Sequence, residues 1–221
     1  CRFFFDDLYH LIMRVFLVLA VFICNFLSAQ KDSTLYTSDF KFKEGIYLNY
    51  ESFRTNKPIP KSAIIADYSH EELDFIRKIV EKRTISYTDS SGKIQEVGPQ
   101  NLWGFSENNS IYVRYNADFN KIVVMGSICH FTALYTTYLS TGPATGIGQT
   151  SGTPVESMQQ YVLDTQTGKI LDFILPNMEE ILKRDPDLYK EFMAIKKGKR
   201  KQLMFIYLRK YNEKHGLYFY S

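Results

Sequence analysis

The chain has 221 residues, 27 Lys and Arg against 24 Asp and Glu, a net charge of +3, 45% hydrophobic residues and 15% aromatic residues. Such an aromatic content at so small a net charge excludes a disordered chain, and three Cys in this length exclude a disulfide-stapled mini-protein. The positive excess is slight and spread along the chain, which argues against a dedicated nucleic-acid binder, and the length suits one domain.

Residues 1–29 read as an address. Arg14 supplies a positive start, Val15 to Ile23 an apolar run of nine residues, and Leu27-Ser28-Ala29 a small-residue cleavage site. That is the order of features in a secretory signal peptide. A membrane-spanning helix needs about twenty apolar residues, and here Cys24 and Asn25 interrupt the run. Cys24 follows Val21-Phe22-Ile23 rather than a small residue, which argues against lipidation. Met13 begins the signal by itself, so residues 1–12 read as an upstream extension. Cleavage after Ala29 leaves Cys129 as the one remaining cysteine, so the exported fold is expected to be held by packing rather than by disulfides.

Gln30 to Asp39 is a polar, loose lead-in. Phe40 to Phe53 alternates Ile46, Leu48 and Tyr50 against Tyr47, Asn49 and Glu51, the period of a half-buried strand. Asn56 to Pro60 is a stiff proline turn. Ser69 and Glu72 have the spacing of a capping box, which places a helix start there, with Leu73, Ile76, Ile79 and Val80 as its apolar stripe. Two hairpins follow, turning at Asp89 to Gly92 and at Glu107 to Asn109. Lys121 to Leu139 is a long strand with a break at Gly126. Ser140 to Thr153 holds four Gly and reads as a loop. Ser157 to Leu175 is a hairpin with Gly168 in the left-handed turn position.

From about residue 176 the pattern becomes helical. Asn177 is the expected first cap, Asp185-Pro186 restarts a helix, and a third helical pattern ends near Gly216. Strands first and helices last predict a single α+β domain over residues 30–221. Its expected form is a twisted antiparallel sheet of roughly seven to nine strands, with helices on one side and a helical C-terminal end.

Catalytic motifs are scarce. Gly148-Gln149-Thr150-Ser151-Gly152 has the wrong spacing for a nucleophile elbow. His70, His130 and His215 are far apart and no CxxC accompanies them, so neither a metal nor a cofactor is expected. Gly146-Ile147-Gly148 lacks the context and the Lys of a phosphate loop. Cys129-His130 suggests a cysteine hydrolase, but neighbours on a strand point to opposite faces and cannot form a dyad. The thiol is expected to be buried. His130, paired with a distant residue, stays as the candidate catalytic side chain. Asp67, Glu71, Glu72 and Asp74 spread over several faces of a helix start and read as capping and solvated charge.

Lys196, Lys197, Lys199, Arg200 and Lys201 place five positive charges in six residues. Outside the cytoplasm the anions within reach are lipid headgroups, lipopolysaccharide or an acidic partner, so these five are the candidate ligand or surface contacts. The tyrosines and Trp103 suit a binding groove and strands equally well.

Glu44-Gly45-Ile46-Tyr47, Phe53, Asn56-Lys57-Pro58, Leu102-Trp103-Gly104-Phe105, Ile111-Tyr112-Val113, Lys121-Ile122-Val123, Asp185-Pro186-Asp187-Leu188-Tyr189 and Lys210-Tyr211-Asn212 follow one another at a recognisable spacing. In these, and in the leader ending Leu27-Ser28-Ala29-Gln30, the chain resembles a family of uncharacterised exported proteins of Bacteroidota. The resemblance implies a compartment and a single domain. It carries no activity and no functional residues to transfer. The expectation is therefore an exported envelope or secreted protein that binds an envelope protein or surface ligand without catalysis. The alternative is a hydrolase of envelope or dietary material that uses His130 and a carboxylate.

Overall fold

A computed structural model describes residues 33–140 and 152–220. The leader and most of the glycine-rich loop, residues 141–151, lie outside the described residues.

The N-terminal part contains β1 (Ser33–Leu35), β2 (Gly45–Tyr47), a short helix α1 (Tyr50–Arg54), β3 (Ile59–Pro60), β4 (Ile64–Ile65), α2 (Phe75–Val80), β5 (Ile85–Thr88) and β6 (Ile94–Val97). The long strands follow as β7 (Gly104–Glu107), β8 (Ser110–Tyr115), β9 (Asp118–Val124), β10 (Ile128–Ser140), β11 (Gly152–Asp164) and β12 (Lys169–Asp172). Three helices come next, α3 (Leu175–Leu182), α4 (Pro186–Met193) and α5 (Lys197–Lys214), and β13 (Tyr218–Tyr220) ends the described chain. Eight strands form one antiparallel sheet in the order β12-β11-β10-β9-β8-β7-β2-β3, while β4-β5-β6 and β1-β13 form smaller sheets. The fold is α+β, with an eight-stranded antiparallel sheet and a helical C-terminal end, as the sequence pattern predicts.

Turn chemistry sets the hairpins. Asn108 and Asn109 both have positive φ, 49° and 55°, the geometry of a two-residue turn whose twist matches that of the strands. Gly168 sits at φ +72° between β11 and β12. Gly126 breaks β9 from β10 for a different reason: a Cβ there would collide with the Asn212 side chain. Asn212 needs that approach, because its Oδ1 accepts from the Ile128 N–H at 2.8 Å and its Nδ2 donates to the Ile128 carbonyl at 2.8 Å, which ties α5 to the sheet.

One irregularity divides the sheet between different cores. In the β9–β10 pairing Val124 faces His130 and Ile122 faces Phe131, which leaves Val123 as an extra residue. Such a bulge re-aims the side chains on either side of it. Ile122 packs into a core with Phe53, Cys129, Phe131, Tyr161 and Phe219. Val124 packs instead against Ile128, Val162 and the C-terminal helices, where Met178, Leu182, Phe192, Leu208 and Tyr211 are buried. A third core joins α2, through Phe75, Ile76 and Ile79, to Ile46 and Phe105.

Four expectations about individual elements change. The alternation from Phe40 stops at Tyr47, because Asn49 and Ser52 cap each other reciprocally and start α1. Ser69 and Glu72 do bond, Ser69 N–H to Glu72 Oε1 at 3.3 Å, yet they close a turn, and α2 begins six residues beyond Ser69, leaving Leu73 exposed. Asn177 lies inside α3 and its side chain donates to the Asp172 carbonyl, while Ile174 stands at the cap with no side-chain bond. The lead-in is not loose where it pairs: Ser33, Thr34 and Leu35 match Tyr220, Phe219 and Tyr218 across an antiparallel ladder. Long-range pairing and reciprocal caps override local periodicity in each of these places.

Candidate functional site

An open cleft of about 960 Å³ lies on the side of β7–β9 that faces α2. Period two on β8 builds its floor. Ile111 and Val113 point into the first core, so Tyr112 and Arg114 are carried to the opposite face. Phe105, fully buried, stacks beneath Tyr112 at 4.5 Å between ring centroids, and Phe119 of β9 meets Phe105 edge-on at 5.3 Å. Val80 and the residues after it, Glu81, Lys82 and Arg83, form one wall, and Leu134 and Met158 of β10 and β11 also line the cleft. The last two are 42% and 61% exposed, which is unusual for side chains of their kind gathered in one concave place.

Four cations surround that floor. Arg77 is ion-paired: its Nη2 lies 3.4 Å from Glu107 Oε2 and donates to Tyr112 Oη at 3.2 Å, while its backbone N–H donates to Glu107 Oε1 at 3.2 Å. Glu107 is buried, so this pair fixes α2 against β7. Lys82, Arg83 and Arg114 have no carboxylate within 4 Å among the described residues. Glu81 and Asp118 are the acidic side chains of the lining, so cations are in excess. The lining has no Ser, Thr, Cys or His. The arrangement can hold an anion by Coulomb attraction and directed donors, and can pack the apolar part of the same ligand on Tyr112, Phe119, Leu134 and Met158.

The residues singled out from sequence lie elsewhere. Cys129 and His130 do face opposite sides of β10, in the first and second cores respectively. The Cys129 thiol is fully buried, 3.2 Å from the Gly126 carbonyl, and burial pushes its pKa up to about 12. It is a packed, inert thiol. His130 is 3% exposed, with Phe173 and Phe205 edge-on at 5.2 and 4.6 Å. Its Nε2 lies 3.2 Å from Gln160 Oε1, its Nδ1 has no hydrogen-bond partner among the described residues, and burial lowers its pKa. No carboxylate or hydroxyl contacts the ring among these neighbours, and His130 is not part of the cleft lining.

The basic run divides. Lys197, Lys199 and Lys201 are exposed at the start of α5, with exposed Lys196 just before it. Arg200 is turned inward, bonded to Glu179 and lying over the Phe192 ring at 5.9 Å. It serves the joint between helices. Trp103 stacks on Phe53 at 4.3 Å and belongs to the first core. Among the acids, Glu72 and Asp74 both pair with Lys78. Gly146 to Gly148 lie outside the described residues.

Sequence reading missed the cleft because its parts come from α2, β8 and β9 together. One signal was present: on β8 the positions opposite Ile111 and Val113 carry Tyr112 and Arg114, an aromatic and a cation where a solvated strand has ordinary polar residues.

Among the described residues no group of three His, Cys, Asp or Glu could hold a metal ion, and no helix is long and apolar enough to cross a membrane. No curated protein and no solved structure matches the chain. One family model matches residues 45–215, which run from β2 through the cleft to the end of α5, and the chain therefore belongs to a family of unknown function, DUF6563.

Proposed function

We propose that this protein is an exported envelope or secreted binding protein, of the kind the leader and the Bacteroidota resemblance suggest, whose cleft takes an anionic ligand with an apolar face. The observation that carries this reading is the set of three cations without carboxylate partners, Lys82, Arg83 and Arg114, around an aromatic and aliphatic floor. A cation that serves the fold is paired, as Arg77 is with Glu107. Cations left without a carboxylate in a concave site are available to a ligand, although Lys82 also lies over the Tyr68 ring at 4.6 Å. The lining contains no Ser, Thr, Cys or His, and its one hydroxyl, on Tyr112, accepts from Arg77, which favours binding over chemistry. The exposed Lys196, Lys197, Lys199 and Lys201 extend the same preference to anionic surfaces such as lipid headgroups.

A fluorescent aromatic sulfonate, anilinonaphthalene sulfonate, carries both features the cleft selects and serves as the probe. Saturable fluorescence enhancement is expected with the wild-type chain. The double variant R83A/R114A should weaken it by at least about tenfold, the equivalent of about 1.4 kcal/mol, with its unfolding midpoint unchanged. Equal binding by both proteins would remove the cleft from consideration.

A further inference from the structure

A second cavity, of about 670 Å³, shares none of its lining residues with the cleft. It is walled by α1, by the Ser127 and Thr165-Gln166 turns of the long strands, by the end of α5 and by β13. Arg54, the last residue of α1, lines it and is only 8% exposed. Its guanidinium carbon is 5.0 Å from the Tyr220 ring and 5.8 Å from the Phe219 ring, yet its Nη1 is buried with no hydrogen-bond partner among the described residues. Among the described residues no carboxylate lies within 4 Å of it.

The other charges of the cavity are already accounted for. Lys214 Nζ and His215 Nε2 each lie 2.8 Å from Asp185 Oδ2. Tyr50 Oη donates to the Thr165 carbonyl at 2.7 Å, and Ser127 Oγ donates to Asn212 Oδ1 at 3.0 Å. Glu51 and Tyr220 also line the cavity, each engaged in an interaction of its own. Arg54 alone combines deep burial with an idle donor. An arginine stays protonated in any protein environment, so it cannot shed the penalty of burial by losing its charge. A planar fork of donors in a concave site matches an oxyanion held in bidentate fashion.

We propose that this cavity binds a small molecule through a carboxylate or phosphate group seated on Arg54, with the Tyr218 and Tyr220 rings against the remainder of the ligand. Tyr218 is 44% exposed and so is open to such a contact. Binding to the native state alone raises the unfolding midpoint with ligand concentration.

The test is thermal unfolding of the full chain at fixed ionic strength, with chloride replaced stepwise by inorganic phosphate in one series and by acetate in another. A saturable rise in midpoint is expected in at least one series, and whichever anion produces it identifies the preferred group. R54M keeps the length of the side chain and removes the charge. It should match or exceed the wild-type midpoint in chloride and show at least about tenfold weaker response to the anion; a response kept in R54M and lost in R83A/R114A would belong to the cleft and overturn the proposal. An equal response in R54M, or no response of the wild type to either anion, would overturn the proposal. Should R54M fail to fold, the Arg54 Nε resonance of arginine-labelled wild type provides the second measurement. A shift that saturates with the midpoint supports the site, and an unmoved resonance overturns it.

Discussion

The C-terminal helices and the cleft use charge in opposite ways. Behind the sheet, buried carboxylates are matched: Asp164 is held by Arg184 at 2.7 Å and Asp185 by Lys214 and His215 at 2.8 Å. Asp185 also accepts from the Leu188 N–H and so caps α4. Lys214 first, then that N–H, hold the Asp185 carboxyl far below the usual carboxylate range. In the cleft, Lys82, Arg83 and Arg114 stand around aromatic rings with no such partners among the described residues. Charge that is paired and buried holds elements together, and its loss leaves the partner stranded. Charge that is unpaired in a concave surface does little for the fold, so R83A/R114A should change stability by no more than about 0.5 kcal/mol.

The widest separation between the two regions is expected at Arg184. Its two nitrogens reach Asp164 Oδ1 at 3.1 Å and Oδ2 at 2.7 Å. Burial alone would raise the Asp164 pKa, but Arg184, then Thr167 and the Gln166 N–H, outweigh it and keep the carboxyl low. R184M would leave a nearly inaccessible carboxylate with hydrogen bonds and no counter-charge. The expected loss is about 3–5 kcal/mol, read from urea unfolding at pH 7. A loss below about 1 kcal/mol, the range of an exposed pair, would erase the distinction drawn between the helical region and the cleft.

How far these regions were legible in the sequence follows the same division. Asp185-Pro186 announces α4, since an acidic cap before a proline at the first helical position is a local signal. The hairpins at Asn108-Asn109 and Gly168 are equally local. The β1–β13 ladder joins residues almost two hundred positions apart in a chain of 221, and no local pattern at Ser33 to Leu35 encodes it. The cleft belongs to that class, because Lys82, Arg114 and Phe119 come together only once α2 is laid across the sheet. Arg54 is hidden for a further reason. In sequence it is an arginine in Ser52-Phe53-Arg54-Thr55, indistinguishable from a solvated one until β13 closes over it.

His130 offers a smaller effect with a definite sign. Burial lowers its pKa in the folded chain, and Gln160 opposes this only in part. The unfolded chain therefore takes up the proton first. The neutral ring's contribution is complete above the ordinary histidine value near 6.5 and is lost as the pH falls below it toward the depressed folded value. H130F, packed between Phe173 and Phe205, should flatten that part of the stability profile and leave binding of the aromatic sulfonate unchanged. Loss of a hydrolytic activity from folded H130F would instead assign this ring a catalytic role.

The smallest expected change is the one that bears most directly on the basic run. Lys197, Lys199 and Lys201 occupy the first turns of α5, whose cap residue Lys196 makes no side-chain bond and whose first turn has no acid. The positive end of a helix disfavours cations by about 0.3–1 kcal/mol each when they are exposed at low salt. Replacing the three by Gln should therefore raise stability by a few tenths of a kcal/mol, seen as a later urea midpoint with the same slope. If the run exists to meet an anionic surface, the same triple variant should bind less to vesicles containing phosphatidylserine or phosphatidylglycerol, by roughly 1 kcal/mol per lysine engaged. Arg200, bonded to Glu179, should be spared in that comparison, since its removal would loosen the joint between α3 and α5 and confuse the two effects. A gain in stability together with a loss of vesicle binding would mean the lysines are kept against the preference of the helix they start. A gain in stability with vesicle binding unchanged would remove the lysine run as a surface contact and leave the arginines of the two cavities, Arg83 and Arg114 in the cleft and Arg54 beside β13, as the cations to test.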